Sequence, residues 1–260
     1  MSFREKMTQD EYERRSEEHG ALWWCGRILV LTLVIGTFAI LFWRLFSAIT
    51  PEEIRIVTPN QTLYTAWSQA EEEGRELTIY RHDLDNITRA ESNYGYFSVS
   101  DVLFIEEAQQ VQFVLRYNNS TIRHLKEDYD LEALPDKEED LYDVTLYVAY
   151  DLTPADPDDN DGNDPASVKF VRYTATDCTA QSTTMYSYRR FVFDGVDMTV
   201  RDNPVLAVYI DIYYKGDVHY DSGDPYGTLI IYDYAQENVA YTLSSKDRDA
   251  LEAWGKENGQ

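Results

Sequence analysis

The chain has 260 residues and a formal net charge of -24, with 47 acidic residues against 23 basic ones. A nucleic-acid-binding protein neutralises phosphates with Lys and Arg, so this charge balance excludes a nucleic-acid partner. Residues 1–50 contain six bases and six acids, so the whole negative excess belongs to the rest of the chain. A surface of this kind favours solubility and attracts cations.

The first predicted element is a membrane-spanning helix. An uncharged, almost wholly apolar run lies between Arg27 and Arg44. Hydrocarbon offers no hydrogen bonds to peptide groups, so such a run crosses lipid only as a helix. The run rises about 24 Å at about 1.5 Å per residue, and arginine side chains that reach towards the headgroups extend the span to the bilayer thickness. We predict a cytoplasmic tail over residues 1–21 and a transmembrane helix over residues 22–49, with the lipid bilayer as its partner.

Two other interpretations fit this run less well. A buried core helix that is apolar on every side needs a protein layer around it, and nothing else in the chain would supply one. A cleaved signal peptide needs small residues where the run ends, but Phe46 and the Trp43-Arg44 pair lie there instead. An uncleaved anchor is the interpretation that the sequence favours.

The distribution of Lys and Arg predicts the orientation of this anchor. Five bases precede the run and two follow it closely: Arg4, Lys6, Arg14, Arg15 and Arg27 against Arg44 and Arg55. Because basic flanks stay inside, the N-terminus is predicted to be cytoplasmic and the C-terminal domain to be outside the cell membrane. On this topology Cys25 and Cys178 cannot pair, and an exported domain without a disulfide points to a bacterial envelope.

Residues 50–95 are predicted to hold a juxtamembrane helix and a first strand. Helix-start signals occur at Thr50-Pro51-Glu52-Glu53 and at Thr58-Pro59-Asn60-Gln61, each with an N-cap Thr and Pro at the first helical position. Apolar residues then recur on one helical face, at Leu63, Ala66, Trp67 and Ala70, and Gly74 provides a C-cap. We predict a helix over about residues 59–73, with its apolar face on the sheet, and a strand over Leu77–Tyr80.

Residues 96–243 alternate with a period of two, which is typical of antiparallel strands with one buried face. The predicted strands are Tyr96–Ile105, Val111–Tyr117, Tyr142–Tyr150, Val168–Thr174, Thr183–Phe193, Leu206–Tyr214 and Thr228–Tyr234. With Leu77–Tyr80 they number about eight and have no helices between them, which favours a β-sandwich. The 21 tyrosines suit such a fold, since a ring can cover the sheet while its hydroxyl meets water.

The predicted fold class is therefore mainly β: one N-terminal transmembrane helix, then an antiparallel β-sandwich with a short juxtamembrane helix and a short C-terminal helix. The last helix, within residues 244–260, is capped by Ser244-Ser245 and carries Ala250, Leu251 and Trp254 as a small apolar stripe. Its expected role is to cover an edge or an end of the sheet.

Three stretches carry a resemblance to a known group of proteins. Residues 86–100 read Asn-Ile-Thr-Arg-Ala-Glu-Ser-Asn-Tyr-Gly-Tyr-Phe-Ser-Val-Ser, residues 115–121 read Leu-Arg-Tyr-Asn-Asn-Ser-Thr, and residues 191–197 read Phe-Val-Phe-Asp-Gly-Val-Asp. Behind an N-terminal anchor, they resemble uncharacterised single-pass membrane proteins of anaerobic Gram-positive bacteria with an exported β-sandwich. The resemblance implies a compartment and a host type, and it implies no chemistry.

The acidic loop over residues 156–164 is the sharpest candidate for a site. Asp159-Asn160-Asp161-Gly162-Asn163-Asp164 offers oxygen ligands and a turn glycine, as calcium sites do. The EF-hand frame fails, however, because it places Pro157 at the first position and Val168 at the twelfth. A disordered, solvated hairpin loop is the other interpretation.

No catalytic, cofactor-binding or metal-binding residue is assigned from the sequence, and no cofactor is expected. The four histidines His19, His82, His124 and His219 show no zinc spacing. Cys178 has no His-Asp context, so a buried or idle thiol is expected.

Two functions of different classes remain open. The first is a membrane-anchored extracytoplasmic β-sandwich module that binds an envelope protein or a wall component, or is structural in the envelope. The second is a membrane-anchored hydrolase with its site in the sandwich loops. A deep cavity with several perturbed titratable groups would favour the hydrolase, and shallow surface would favour the binding module.

Overall fold

The computed structural model describes residues 21–47, 50–82, 97–118, 120–133, 141–151, 168–198, 205–216, 225–233 and 238–259. The chain divides into two units, Met1–Ile49 and Thr50–Gln260. The first unit contains helix α1, and the second contains every described strand and the other helices. The tail predicted to be cytoplasmic lies almost entirely outside the described residues.

Helix α1 comprises Ala21–Ser47, close to the predicted span 22–49. Its segment Cys25–Trp43 has a mean hydropathy of 2.2, and none of that segment is buried inside the protein. The hydroxyls of Thr32 and Thr37 donate to the carbonyls of Ile28 and Leu33, both at 2.8 Å, so the helix satisfies its own hydroxyls. By length and composition α1 is able to cross a membrane, a test that a signal sequence also passes.

The second unit is mainly β and contains two antiparallel sheets. The strands are β1 (Ile79–His82), β2 (Phe97–Ile105), β3 (Gln110–Asn118), β4 (Tyr142–Asp151), β5 (Val168–Thr174), β6 (Asp177–Ser182), β7 (Tyr186–Asp194), β8 (Val205–Tyr214), β9 (Gly227–Asp233) and β10 (Asn238–Tyr241). One sheet has the order β10-β1-β2-β3-β7-β6, and the other has the order β5-β4-β8-β9. The predicted mainly β fold with two antiparallel sheets, an N-terminal apolar helix and a C-terminal helix is thus confirmed. The eight predicted strands correspond to β1–β5 and β7–β9.

Strands β6 and β10 were missed by the sequence analysis. Both are short and both lie at an edge of the six-stranded sheet. An edge strand has one pairing partner, and a polar segment such as Asp177–Ser182 carries no run of alternating apolar residues. Strand assignment from periodicity therefore fails where pairing to a neighbour decides the conformation.

The two sheets meet through their inner faces. Alternate residues of β4, such as Val144, Leu146 and Val148, are buried together with Phe113 and Phe191 of the six-stranded sheet. Fully burying a side chain of this size contributes about 1.5–3 kcal/mol each. This alternation places the core where the sequence pattern predicts it.

Tyrosines fill one part of this core, which differs from the prediction of rings with water-exposed hydroxyls. Tyr117 and Tyr142 are almost fully buried, and their ring centroids lie 5.0 Å apart at 76°. Phe97 packs edge-on against Tyr142, also at 5.0 Å. Edge-to-face pairs of this kind add about 0.5–1.5 kcal/mol beyond area burial.

Helices cover the outer face of the six-stranded sheet. They are α2 (Glu52–Arg55), α3 (Gln61–Glu72) and α5 (Ser245–Glu257). Leu63 of α3 and Leu251 of α5 are buried in one cluster with Leu103 and Ile105 of β2. The C-terminal helix therefore packs on residues of β1, β2 and β10, at the β10 edge of the six-stranded sheet.

The ends of α3 differ partly from the prediction. Asn60, and not Thr58, is its N-cap, since the Asn60 side chain accepts a hydrogen bond from the Leu63 N–H at 2.9 Å. At the other end Gly74 has a φ of +67°, as the predicted C-cap requires. Its N–H donates to the Glu71 carbonyl and the Arg75 N–H donates to the Ala70 carbonyl, which is the Schellman pattern.

A fifth helix, α4 (Ser120–Asp128), was not predicted. It buries Leu125, and Asp128 accepts a hydrogen bond from the Tyr226 hydroxyl at 2.9 Å. One buried apolar side chain gives no recurring stripe, so hydrophobic periodicity does not reveal a helix of this kind.

Candidate functional site

The acidic loop 156–164 lies outside the described residues, so calcium binding there stays a prediction. Among the described residues, no group of three or more His, Cys, Asp or Glu side chains is placed to hold a metal ion. His82 is buried, with its ring centroid 4.8 Å from that of Tyr232. His124 lies 3.9 Å from Glu127 on α4.

Cys178 is a half-buried thiol, as the sequence analysis expected. It lies in β6, and Arg189 donates a hydrogen bond to its sulfur at 3.2 Å. Burial raises the pKa of Cys178 to about 12, with a further contribution from Asp177. A nucleophilic cysteine needs a lowered thiol pKa, so this environment opposes reactivity.

A buried polar network joins the segment before α3 to the six-stranded sheet. Gln112 accepts a hydrogen bond from the Thr58 N–H at 3.0 Å and donates to the Thr58 carbonyl at 2.9 Å. Gln110 donates to Asp194 at 2.7 Å, and Asn60 donates to the same carboxylate at 3.0 Å. These side chains form hydrogen bonds with one another and with the Thr58 backbone. The network therefore holds this backbone segment in place and leaves few polar groups for binding a ligand.

A cavity of about 90 Å³ lies between the sheets. Tyr80 of β1 lies directly opposite Phe104 of β2, and both line the cavity. Tyr232 of β9 closes it from the other sheet, with its ring centroid 5.5 Å from that of Phe104 at 80°. The remaining lining residues are Ile105, Glu106, Gln110, Val196 and Met198.

Glu106 is the sole carboxylate among the described residues that line this cavity. It belongs to the turn between β2 and β3, and its backbone N–H donates to the Thr78 carbonyl at 3.0 Å. Burial raises the pKa of Glu106, and the neighbouring Glu107 carboxylate adds to the increase. No local sequence pattern indicated this site, because its residues come from positions far apart in the chain.

The outer face of the four-stranded sheet is the second candidate. Strand register places Tyr147 of β4 beside Tyr209 of β8, with Arg172 of β5 on one side of the pair and Ile230 of β9 on the other. The two tyrosine rings stack at 5.0 Å with an angle of 8° between their planes. We call this surface the tyrosine face. Its aromatic members are Phe170, Tyr147, Tyr209 and Tyr213.

The tyrosine face differs chemically from an ordinary solvated sheet surface. Its register-aligned members are Val168, Phe170, Arg172, Thr174, Asp143, Thr145, Tyr147, Ala149, Asp151, Ala207, Tyr209, Asp211, Tyr213, Thr228 and Ile230, and these described residues include no Lys or Glu. Phe170 is 59% exposed. Protein interfaces are enriched in aromatic residues and Arg and depleted in Lys and Glu.

Hydrogen bonds hold several polar side chains of the tyrosine face in place. Thr228 donates to the Asp211 carboxylate at 2.6 Å. Burial raises the pKa of the Tyr213 hydroxyl, and a hydrogen bond with Tyr147 adds to the increase. The alternating tyrosines were visible in the sequence, but which outer face of the sandwich the described helices leave uncovered was not.

The chain matches no known protein family, no curated protein sequence and no solved structure.

Proposed function

We propose that this chain is a single-pass protein of a bacterial cell membrane. In this proposal α1 is the anchor, the N-terminus is cytoplasmic, and residues 50–260 form an extracytoplasmic binding module. The apolar helix with none of its central segment buried supports the anchor. The excess of Lys and Arg before it supports the orientation, and the resemblance to membrane proteins of anaerobic Gram-positive bacteria supports the host type.

The contrast between the two outer faces of the sandwich carries the proposal of a binding module. The six-stranded sheet has helices on its outer face, with Ile54, Leu63 and Leu251 fully buried. The tyrosine face has no helix on it within the described residues, yet it bears Phe170 and the Tyr147–Tyr209 stack. An exposed apolar patch with a polar rim is typical of an interaction site.

The proposed partner is an envelope protein or a wall component that is neutral or basic. The sequence beyond residue 50 has 17 bases against 41 acids, so close approach of an anionic surface is unfavourable. On the tyrosine face itself, Asp143, Asp151 and Asp211 outnumber Arg172. Charge complementarity therefore favours basic groups around the edge of the partner's contact surface.

The alternative, an anchored hydrolase, has less support. Acid–base hydrolysis employs two positioned groups, whereas the described lining of the inter-sheet cavity contains one carboxylate, Glu106. The buried Cys178 thiol has a raised pKa, which opposes a nucleophilic role. These two observations favour binding over hydrolysis for the described part of the domain.

The membrane topology is tested by protease treatment of intact protoplasts that carry the chain with an epitope at each end. We expect the C-terminal epitope to be lost while the N-terminal epitope survives on a membrane fragment. A C-terminal epitope that resists digestion until the membrane is permeabilised would overturn the proposed orientation.

The tyrosine face is tested with a photo-cross-linking amino acid in the full-length protein in its host membrane. Position 170 is the probe, and position 239 is the matched control because Phe170 and Val239 are 59% and 58% exposed but lie in different sheets. We expect a defined cross-linked species from position 170 only, and we expect Tyr209→Ser to abolish it. Equal cross-linking from both positions would contradict the assignment of this face.

A further inference from the structure

The inter-sheet cavity has the composition of an aromatic cage. Rings come from both sheets: Tyr80 and Phe104 from one, and Tyr232 from the other. The Phe104 and Tyr232 rings are in edge-to-face contact, with centroids 5.5 Å apart at 80°, and this pair forms part of the cavity wall. Met198 adds a polarizable thioether to the lining.

The electrostatics of the cavity favour a cation. Glu106 contributes a carboxylate, and the described lining contains no Lys, Arg or His. Ring faces carry negative charge density, so they attract a cation within about 6 Å of the ring centre. The large negative charge of the domain raises the local concentration of cations around it.

Few side chains of the described lining offer hydrogen-bond acceptors: the Glu106 carboxylate and the hydroxyls of Tyr80 and Tyr232. The Gln110 side-chain oxygen already accepts from Gln112 at 2.8 Å, and its amide nitrogen donates to Asn60 and Asp194. A primary ammonium group needs acceptors for three N–H donors. A fully alkylated ammonium needs none, and recognition of quaternary ammonium groups is a known use of aromatic cages.

We propose that the inter-sheet cavity binds the alkylated ammonium group of a small ligand, such as the trimethylammonium end of a choline-like molecule. Tyr80, Phe104 and Tyr232 contact the methyl groups, and Glu106 balances the charge. The volume of about 90 Å³ suits a group of about five heavy atoms, since a cavity of about 150 Å³ admits benzene. A ligand cation also relieves the charge repulsion between Glu106 and Glu107.

The proposal is tested by calorimetric titration of the full-length protein in nanodiscs of phosphatidylglycerol, which contain no choline. Choline is the probe. Its neutral carbon isostere 3,3-dimethylbutan-1-ol tests the charge, and ethanolamine tests the alkylation. We expect saturable binding of choline and at least tenfold weaker binding of both comparison compounds, about the size of the cation–π contribution. Choline binding should weaken as salt is raised, because ions screen the attraction to Glu106.

Variants locate the binding in the cavity. Glu106→Gln and Tyr232→Leu should each weaken choline binding by about fivefold or more, whereas Tyr232→Phe should retain it because the ring face is kept. Glu72→Gln on α3 is the matched control for Glu106→Gln and should bind as the parent does. Thermal melts verify that each variant is folded. If Tyr232→Leu does not fold, Glu106→Gln still tests whether choline binds in the cavity.

These measurements decide whether the cavity binds choline. They also decide whether the bound trimethylammonium group belongs to a lipid headgroup or to a free ligand. No saturable heat up to about 10 mM choline, or equal binding of choline and its neutral isostere, or full binding by Glu106→Gln and Tyr232→Leu, would each overturn the proposal. With binding present, repetition in phosphatidylcholine nanodiscs distinguishes the sources: a lower apparent affinity for free choline identifies a lipid headgroup, and an unchanged affinity identifies a free ligand. None of these outcomes depends on the orientation of the anchor or on the tyrosine face.

Discussion

Asp247 in α5 accepts a hydrogen bond from the backbone N–H of Val57 at 2.9 Å, although the two residues are 190 positions apart. The same carboxylate accepts from the Tyr241 hydroxyl and from the N–H and hydroxyl of Ser244. With the Ser244 side chain accepting from the Asp247 N–H, this is a capping box that also fixes the segment before α3. Asp247 is 1% exposed, so these bonds are made away from water.

The first prediction concerns this carboxylate. Asp247→Ala removes the acceptor from buried donors, so the free energy of unfolding should fall by about 2–4 kcal/mol. Asp249→Ala, at an exposed position of the same helix, is the matched control and should change it by less than about 0.5 kcal/mol. Urea unfolding followed by circular dichroism measures both. A small effect of Asp247→Ala would show that α5 is fixed by its apolar contacts alone.

The second prediction concerns Arg190, which is fully buried on the outer side of β7. It donates to the carbonyls of Ile54 and Arg55, at 2.8 and 3.1 Å. Burial lowers the pKa of the Arg190 guanidinium, while Asp101 and Asp247 partly counteract the decrease. Arg190→Ala should cost about 3 kcal/mol, since it leaves a void and two unpaired carbonyls.

Arg190→Met is the informative comparison for that site. It keeps much of the side-chain volume and removes a buried charge, so we expect it to cost less than Arg190→Ala by about 2 kcal/mol. Urea unfolding of the two variants under the same conditions gives this difference. Equal costs for Met and Ala would contradict a large packing contribution and would assign the stability to the hydrogen bonds.

The third prediction is a stabilising substitution. The Tyr142 hydroxyl is buried and has no hydrogen-bond partner among the described residues, and burial raises its pKa. Tyr142→Phe should therefore raise the free energy of unfolding by about 1 kcal/mol, because folding no longer desolvates an unpaired hydroxyl. Tyr226→Phe should have the opposite effect, because the Tyr226 hydroxyl donates to Asp128. Differential scanning calorimetry compares them, and a lower melting temperature for Tyr142→Phe would contradict the prediction.

The fourth prediction concerns the pH dependence of Cys178. Its pKa is raised from 9.0 to about 12 in the folded protein, so the native thiol stays protonated at pH 8. In a Cys25→Ser background, labelling by a disulfide reagent should be about 1,000-fold slower in the native state than in urea, as the thiolate fractions imply. Fast native labelling at pH 8 would refute the buried, protonated thiol.

The raised pKa of Cys178 also determines whether this residue makes the folded protein more or less stable as the pH rises. Between pH 9 and pH 12 the unfolded chain releases the thiol proton while the folded protein keeps it. The folded state thus binds more protons in this window, so the contribution of Cys178 to stability falls as the pH rises. Cys178→Ala should show a smaller loss of stability over that pH range than the parent protein.

The sequence by itself determined the elements whose signal is local. An unbroken apolar run specifies α1, because a helix satisfies the backbone hydrogen bonds of such a run within the segment itself. Alternation at Tyr142–Tyr150 and Leu206–Tyr214 specifies strands, because a pleated chain turns successive side chains to opposite faces. Gly74 and Ser244 mark helix ends, since their capping roles depend only on neighbouring residues.

Only the tertiary structure decided which surfaces meet. Pairing to a neighbouring strand makes β6 and β10 strands, and packing makes α4 a helix, because long-range contacts override weak local preference there. Among the described residues, α3 and α5 cover one sheet, and no helix covers the tyrosine face of the other. The ring-lined cavity combines Tyr80, Phe104, Glu106 and Tyr232, and no local pattern could bring Tyr232 to residues more than 100 positions earlier in the chain.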